Sequence, residues 1–242
     1  MSTAVGHIEA IFRYPVKSMR GEQLDAATLG WHGIDGDRRL AFRRLDNDGD
    51  FPWLCGSMLP EITWFTPFRR GDGDGVLPTH VRTPEGKELE LFGDELAADV
   101  GRRHKAPVKM TPMKHGIFDE ASISVIASST IREVCRLAGK DADVRRFRPN
   151  ILVRSARDTP FEEDEWVGGM LTFGDADDAP AIAVTRRDLR CAMVNIDPEG
   201  GRSAPEVMKA CVRANQNNAG IYCAITRVGR LAVGQTVFLH RG

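Results

Sequence analysis

The sequence predicts an α+β fold that is predominantly β, with a barrel-like arrangement of short strands and a few helices. Apolar and polar residues alternate with a period of two in many short segments, and these segments end at turns rich in glycine, proline and asparagine. Helical periodicity is strong in only two segments, and strands and helices do not alternate along the chain. No G-x-G-x-x-G or Walker loop is present, so a barrel is favoured over a dinucleotide-binding fold.

The predicted strands lie in both halves of the chain. Those with the clearest patterns cover residues 7–12, 39–43, 88–91, 151–153, 221–225 and 231–239. In the first of them, Ile8, Ala10 and Phe12 are expected on one face. Residues 69–75 form a polar loop that is too short to separate domains.

Two segments predict amphipathic helices. The first carries the capping box Thr130-x-x-Glu133 at its start and Gly139 at its exit. The second begins at Pro205, a residue suited to the first helical turn, and continues to Ala214. Each helix places one cysteine on its apolar face.

Composition excludes several classes of protein. The 242 residues include 33 basic and 34 acidic ones, so the net charge of −1 does not indicate a nucleic-acid or membrane partner. No apolar run reaches the length of a membrane span, and the first ten residues do not resemble a signal peptide. We therefore expect a cytoplasmic protein.

The five cysteines are odd in number and none forms a C-x-x-C pair, which argues against a disulfide framework, a zinc ribbon or an iron–sulfur cluster. Cys135, Cys211 and Cys223 are predicted core residues. Cys191 differs, because it follows Arg190 directly in the stretch Leu189–Gly200 (LRCAMVNIDPEG). A neighbouring cation stabilises a thiolate, which binds soft metals, but a buried structural cysteine is the alternative.

Three polar stretches could form an anion site. They are Tyr14–Ser18 (YPVKS), Gly36–Arg39 (GDRR) and Arg145–Asn150 (RRFRPN), and each lies beside a predicted strand. If their lysine, serine and arginine side chains converged on one cleft, they would suit a phosphate. The alternative is that each arginine lies on a solvated face or pairs with an acidic residue.

Together, and in this order, these stretches resemble the MOSC family, named for the C-terminal domain of molybdenum cofactor sulfurase. Residues 189–200 resemble its cysteine-bearing segment, 147–151 (FRPNI) its F-R-P-N segment, and 229–239 (GRLAVGQTVFL) its closing strand pair. Residues 14–21 (YPVKSMRG) and 36–39 resemble the β-barrel domain that precedes MOSC in the mitochondrial amidoxime-reducing component and its bacterial relatives. The resemblance implies a MOSC-type β-barrel with a packed N-terminal β-rich domain, divided at 1–112 and 113–242.

The resemblance also implies a molybdenum cofactor, molybdopterin, with the thiolate of Cys191 as a molybdenum ligand. Asp197 would lie in the turn beside the metal and orient a ligand or substrate. The pterin and its phosphate would be lined by Lys17, Ser18, Arg38, Arg148, Asn150 and Arg190. Ser122 and Ser124 are weaker candidates, and His115 is a candidate proton donor that is better explained as a surface residue.

The activity implied is that of a molybdenum-dependent oxidoreductase reducing N-hydroxylated or N-oxygenated small molecules. Electrons would come from a separate ferredoxin, flavodoxin or cytochrome, and pyridoxal phosphate would belong only to a separate sulfurase partner. Two alternatives stay open. The chain could be a non-redox carrier of sulfur or of the molybdenum cofactor, or a MOSC-fold binding protein without metal.

Overall fold

The computed structural model describes residues 2–71, 75–200 and 203–241, so residues 72–74 of the predicted polar loop lie outside the described residues. The described residues form three α-helices and sixteen strands. The helices are α1 (Asp94–His104), α2 (Ser128–Leu137) and α3 (Pro205–Asn215). The strands are β1 (Ser2–Arg13), β2 (Glu22–Leu24), β3 (Ala26–Gly30), β4 (Gly33–Ile34), β5 (Leu40–Arg44), β6 (Thr66–Phe68), β7 (His80–Arg82), β8 (Glu88–Glu90), β9 (Val108–Pro112), β10 (Ile123–Ala127), β11 (Ile151–Ser155), β12 (Met170–Phe173), β13 (Ala181–Leu189), β14 (Asn218–Arg227), β15 (Gly229–Ala232) and β16 (Thr236–His240).

Seven strands close into a barrel, which confirms the predicted β-rich α+β class. Their order is β11-β10-β14-β13-β12-β16-β1, and pairing of β1 with β11 closes the cylinder. Only β10 and β11 run parallel; the other neighbours are antiparallel. Closure leaves no exposed barrel edge, and the interior is filled by apolar side chains such as Ile8, Val125 and Trp166.

The first strand does not follow a single alternation. Its pairing with β11 shifts between Ile8 and Ala10, which is the signature of a β-bulge. Ile8 and Ile11 therefore both pack inside the barrel, whereas Ala10 and Phe12 pack outside it. The prediction of one face for Ile8, Ala10 and Phe12 is wrong, because a bulge exchanges the faces of a strand.

Helices α2 and α3 cover one side of the barrel. Cys135 on α2 and Cys211 on α3 are fully buried in the cluster between the helices and the barrel. Cys223 is buried in the barrel interior. The prediction of these three cysteines as core residues is confirmed, and burial raises the pKa of all three thiols.

The predicted capping box is wrong. Helix α2 begins two residues earlier, at Ser128, and its N-cap Ala127 offers no side-chain hydrogen bond. Thr130 lies inside the helix, where its hydroxyl donates to Glu163 Oε2 at 2.8 Å and accepts from the backbone N–H of Phe161 at 2.7 Å. Tertiary partners therefore use the hydroxyl that the sequence pattern assigns to capping.

Glu163 makes the stability of the protein depend on pH. Its carboxyl is completely buried, and burial raises its pKa to about 7, although the backbone N–H of Ala127 and the Thr130 hydroxyl both donate to it. The folded state holds a proton that the unfolded chain has already released, so stability falls as pH rises from about 4.5 to about 7.

We expect Glu163→Gln to remove most of this dependence. Between pH 5 and pH 8 the free energy of unfolding of the wild type should fall by about 2–3 kcal/mol more than that of the variant. Urea unfolding at both pH values measures the difference, and parallel pH profiles would contradict the assignment.

The last predicted strand is two strands in different sheets. The chain turns between β15 and β16, where Gly234 adopts a φ of 87°. Strand β16 joins the barrel, whereas β15 pairs with β3 in a separate three-stranded sheet with β4. Residues 231–239 therefore do not form one strand, since glycine at positive φ permits the turn.

A second folding unit lies between β1 and β10. Here β5 pairs with β9, and β6, β7 and β8 form a three-stranded sheet. Helix α1, which the sequence patterns missed, packs with them around a core that includes Phe42, Leu54, Phe65 and Val100. The boundary at residue 112 stays a prediction, and β1 and β2 pair with strands of the barrel rather than with this unit.

Candidate functional site

One small cavity gathers seven of the eight residues proposed from the sequence. It has a volume of about 130 Å³ and is called here the Cys191 cavity. The seven residues come from the segments after β1, before β5, before β11 and after β13, which meet at this cavity. They are Lys17, Ser18, Arg38, Arg148, Asn150, Arg190 and Cys191.

Three of these residues have unusual backbone conformations. Ser18, Arg38 and Arg148 have φ values of 67°, 50° and 51°, in the left-handed region that non-glycine residues rarely adopt. Such conformations cost free energy and persist when the surrounding structure holds them. Three of them around one cavity indicate that the chain is bent to direct these side chains at a common point.

Tyr14 supports two of the arginines. The guanidinium of Arg38 lies 4.8 Å from the centre of the tyrosine ring and that of Arg148 lies 4.3 Å from it. Burial raises the pKa of Tyr14 to about 12, so its phenol stays neutral. The same burial lowers the pKa of Arg148 to about 10, because little solvent reaches its charge.

Asp37 is the organising acid of the site, and the sequence analysis did not select it. Its buried carboxylate accepts hydrogen bonds from the backbone N–H of Tyr14 at 2.7 Å, from Arg38, and from Asn150 Nδ2 at 3.1 Å. Burial alone would lower the pKa of Arg38, but this carboxylate raises it. Only its place beside Arg38 in Gly36–Arg39 could have indicated the role.

Asn150 links several segments of the site through hydrogen bonds of its side chain. Its amide donates to the backbone carbonyl of Phe12 at 3.4 Å as well as to Asp37, and its Oδ1 accepts from the backbone N–H of Ser124 at 3.2 Å. It therefore ties β1, β10 and the Arg38 segment together.

Arg190 is also held by the protein itself. Its guanidinium is 2.9 Å from Asp188 Oδ2 and donates to the backbone carbonyls of Ala219 and Phe147 at 2.7 and 2.8 Å. Asp188 is buried, and it accepts a further hydrogen bond from Ser124 Oγ at 3.0 Å. This network positions the residue that precedes Cys191.

Cys191 lies at the surface of the cavity. It follows the end of β13 and begins a short 3₁₀ turn, Ala192–Asn195, and unlike the three core cysteines it is exposed. Cys55 lines the same cavity and is half-buried; the sequence analysis missed it. Its neighbour Gly56 donates its backbone N–H to Ser18 Oγ at 3.1 Å, which brings the Cys55 loop to the site.

The lysine that lines the cavity forms an ion pair with an acidic residue. Lys17 Nζ lies 2.6 Å from Asp119 Oδ1, and although Lys17 is buried, the Asp119 side chain is 66% exposed. Asp119 also lines the cavity. This ion pair neutralises one of the cations that an anionic ligand would use.

Asp197 does not line the Cys191 cavity. It lines a neighbouring cavity of about 710 Å³, called here the Arg20 cavity. There Asp197 Oδ2 accepts from Arg146 at 2.9 Å, and Oδ1 accepts from the backbone N–H groups of Glu199 and Gly200 at 2.9 and 3.3 Å. These bonds, led by that of Glu199, lower the pKa of Asp197.

Of the three weaker candidate residues, one lines the Cys191 cavity and two do not. Ser124 lines the Cys191 cavity, but Ser122 and His115 do not line either of these two cavities. His115 is exposed, and its ring lies 4.2 Å from that of His32.

The fold and the site together define a β-barrel protein with a cavity that combines an exposed thiol with buried and half-buried cations. The model of the MOSC domain matches residues 112–238, which is more than half of the chain. This chain belongs to the MOSC domain family, a family associated with the molybdenum cofactor.

Among curated proteins, the chain is 26% identical over 133 residues to mitochondrial amidoxime reducing component 2 of Bos taurus. The match covers 50% of this chain and 37% of that protein, so the chain spans little more than a third of its length. Among solved structures, the YuaD protein from Bacillus subtilis aligns over 100% of this chain and 97% of its own, with a TM-score of 0.53 and 14% identity. YiiM from Escherichia coli aligns over 98% of this chain and 70% of its own, with a TM-score of 0.44 and 9% identity.

None of the helices in the described part of the chain has the length and apolar character needed to cross a bilayer.

Proposed function

We propose that this protein binds the molybdenum cofactor in the Cys191 cavity and reduces N-hydroxylated or N-oxygenated small molecules. One observation carries the proposal: seven residues from four separate segments line one cavity, and they combine an exposed thiol with four cations. A pterin cofactor with a phosphate is anionic, and molybdenum is bound by soft sulfur ligands, so the donor set suits both ends of such a group.

The chemistry of the side chains suits this cofactor, but the cavity must enlarge before the cofactor can enter. A volume of about 130 Å³ is less than the roughly 300 Å³ of the smallest typical organic ligand sites. Asp119 lines the cavity and is mostly exposed, so its carboxylate can turn to solvent when an anion binds Lys17. Because the Lys17 side chain is buried, the loss of Asp119 is offset only when the anion takes its place beside the ammonium group.

The residues of the chain divide into ligands and supports. Cys191 would bind the metal, and Lys17, Ser18, Arg38 and Arg148 would hold the pterin and its phosphate by hydrogen bonds and charge. Asn150 and Arg190 would act through others, because their polar groups already bond to Asp37, Asp188 and backbone carbonyls.

The bound cofactor would supply two-electron redox chemistry. The chain would fix the orientation of the cofactor, and its buried cations would compensate the charge that arrives with the electrons. Asp197, ionised at the rim of the adjoining cavity, would orient a substrate rather than bind the metal.

The proposed activity needs an electron donor, and we expect a separate ferredoxin, flavodoxin or cytochrome to supply the electrons. The cytoplasm is the proposed compartment, since all five cysteines are free and reducing conditions keep thiols unpaired.

Cys191→Ser tests the proposal. Expressed in a host that makes the cofactor, the wild type should carry close to one molybdenum per chain, and the variant should lose at least about nine-tenths of it, since an alcohol is a far poorer ligand for a soft metal. Elemental analysis and pterin fluorescence measure the content. Cys55→Ser is the matched control, because it removes the other thiol of the cavity and should keep the metal. A Cys191→Ser protein with full molybdenum and full reductase activity overturns the assignment.

A sulfur carrier is the second candidate, favoured by the exposure of the Cys191 thiol. Native mass spectrometry separates the two functions. Added sulfur on Cys191 without molybdenum supports the carrier, and a protein with neither metal, pterin nor added sulfur supports a binding barrel that lost the cofactor.

A further inference from the structure

The Arg20 cavity adjoins the Cys191 cavity and is much larger. Its volume of about 710 Å³ is in the range of sites for small organic ligands. Arg146, Arg148 and Met193 line both cavities, so a ligand in the larger one can reach the smaller one beside them.

The carboxylates on the wall of the Arg20 cavity are largely committed to other partners. Asp143 and Glu199 both pair with Arg145, and Asp197 pairs with Arg146. The remaining carboxylate, Asp141, is exposed.

Two arginines of the wall have no such partner. Arg20 donates to the backbone carbonyl of Pro198 at 3.0 Å, and Arg148 donates to that of Met19 at 2.8 Å. In the described part of the chain, no carboxylate lies within 4.0 Å of either guanidinium. A guanidinium has five N–H donors, so each of these arginines keeps donors available for a ligand.

Arg146 adds a further unmet donor. It is 94% buried, and its Nε has no hydrogen-bond partner among the described residues. A charged side chain that is buried with an unsatisfied donor is costly unless a ligand or water completes it. Phe12 and Tyr14 also line this cavity, although both are buried.

We infer that the Arg20 cavity is a substrate subsite for an organic anion, with Arg20 receiving a carboxylate or phosphate head group. The remaining space of the cavity takes the body of the molecule, and the end opposite the head group extends past Met193 toward Cys191. The inference rests on the proposed function for the reaction, but binding of the anion requires neither the metal nor turnover.

Equilibrium binding tests the subsite. The probes are an aromatic amidoxime with a para-carboxylate, the same amidoxime without it, and inorganic phosphate, each titrated calorimetrically into the 242-residue protein as purified. The wild type should bind the carboxylate probe at least about tenfold more tightly than the neutral one, since hydrogen bonds between a guanidinium and a carboxylate are charge-assisted. Arg20→Gln should remove this preference.

Arg39→Gln is the matched control. Arg39 also donates to one backbone carbonyl, that of Lys114 at 2.6 Å, but it lines neither cavity, so its variant should bind like the wild type. Arg20-dependent binding of the carboxylate probe or of phosphate supports the subsite and tells which head group it takes. The inference is overturned if the wild type binds the charged and neutral probes equally and does not bind phosphate. It is also overturned if Arg20→Gln binds the anions as tightly as the wild type does. Failure of the proposed function would appear instead as a lack of bound molybdenum, which these titrations do not measure.

Discussion

Replacing Arg190 by methionine is expected to lower the free energy of unfolding by about 3–5 kcal/mol, as for other buried ion pairs that lose one partner. Asp188 is 2% exposed, and burial raises its pKa even with Arg190 beside it. Without the guanidinium, its charge would keep only hydrogen bonds from Ser124 and Tyr222. The carbonyls of Phe147 and Ala219 would lose their donor as well.

Urea unfolding measures this loss, and two further variants define its origin. Arg186→Met removes an exposed arginine that pairs with Glu120, and it should cost less than about 1 kcal/mol. Adding Asp188→Asn to Arg190→Met should recover part of the stability, because the stranded charge is then gone. An Arg190→Met protein with the unfolding midpoint of the wild type would show that the pair does not stabilise the fold.

Asp37→Ala is expected to destabilise the protein by a comparable amount, about 3–5 kcal/mol. Asp37 is completely buried and is the only carboxylate paired with Arg38 among the described residues. Its removal leaves Arg38 and Arg148 as neighbouring half-buried cations beside Tyr14, and it leaves the backbone N–H of Tyr14 without its acceptor.

Asp35→Ala is the matched control for this prediction. Asp35 lies two residues earlier but is exposed, and its side chain should contribute less than about 1 kcal/mol. Thermal unfolding of both variants measures the difference. If Asp37→Ala and Asp35→Ala have the same melting temperature, the Arg38 segment is held by its backbone and not by the buried carboxylate.

The resemblance identified the residues of the Cys191 cavity better than local patterns identified the elements around it. The stretches around Lys17, Arg38, Arg148 and Cys191 suggested a common site, and all four residues line one cavity. Asp37 and Cys55 were missed, because a single acid in a turn and a single cysteine in a loop carry no pattern of their own. Asp197, which the resemblance places in the turn beside the metal, lines the adjoining cavity, and its role stays a prediction.

The errors in the predicted secondary structure arise from contacts with residues that are distant in sequence. The hydroxyl of Thr130 could cap a helix, but Glu163, which is 33 residues away, takes its hydrogen bond. The alternation around Ile8 predicts one buried face, but the bulge in the pairing with β11 divides it between two cores. In each case a partner distant in sequence decided the outcome.

By itself, the amino-acid sequence determined that the protein is rich in strands and that three of its cysteines belong to the core. These properties follow from periodicity and side-chain chemistry, which are local. The tertiary structure alone decided which donors remain available: Asn150 and Arg190 are bound by the protein itself, whereas Arg20 and Arg148 keep unused N–H groups beside a large cavity. Hydrogen-bond partners and burial depend on segments more than a hundred residues apart, and only the folded chain brings those segments together.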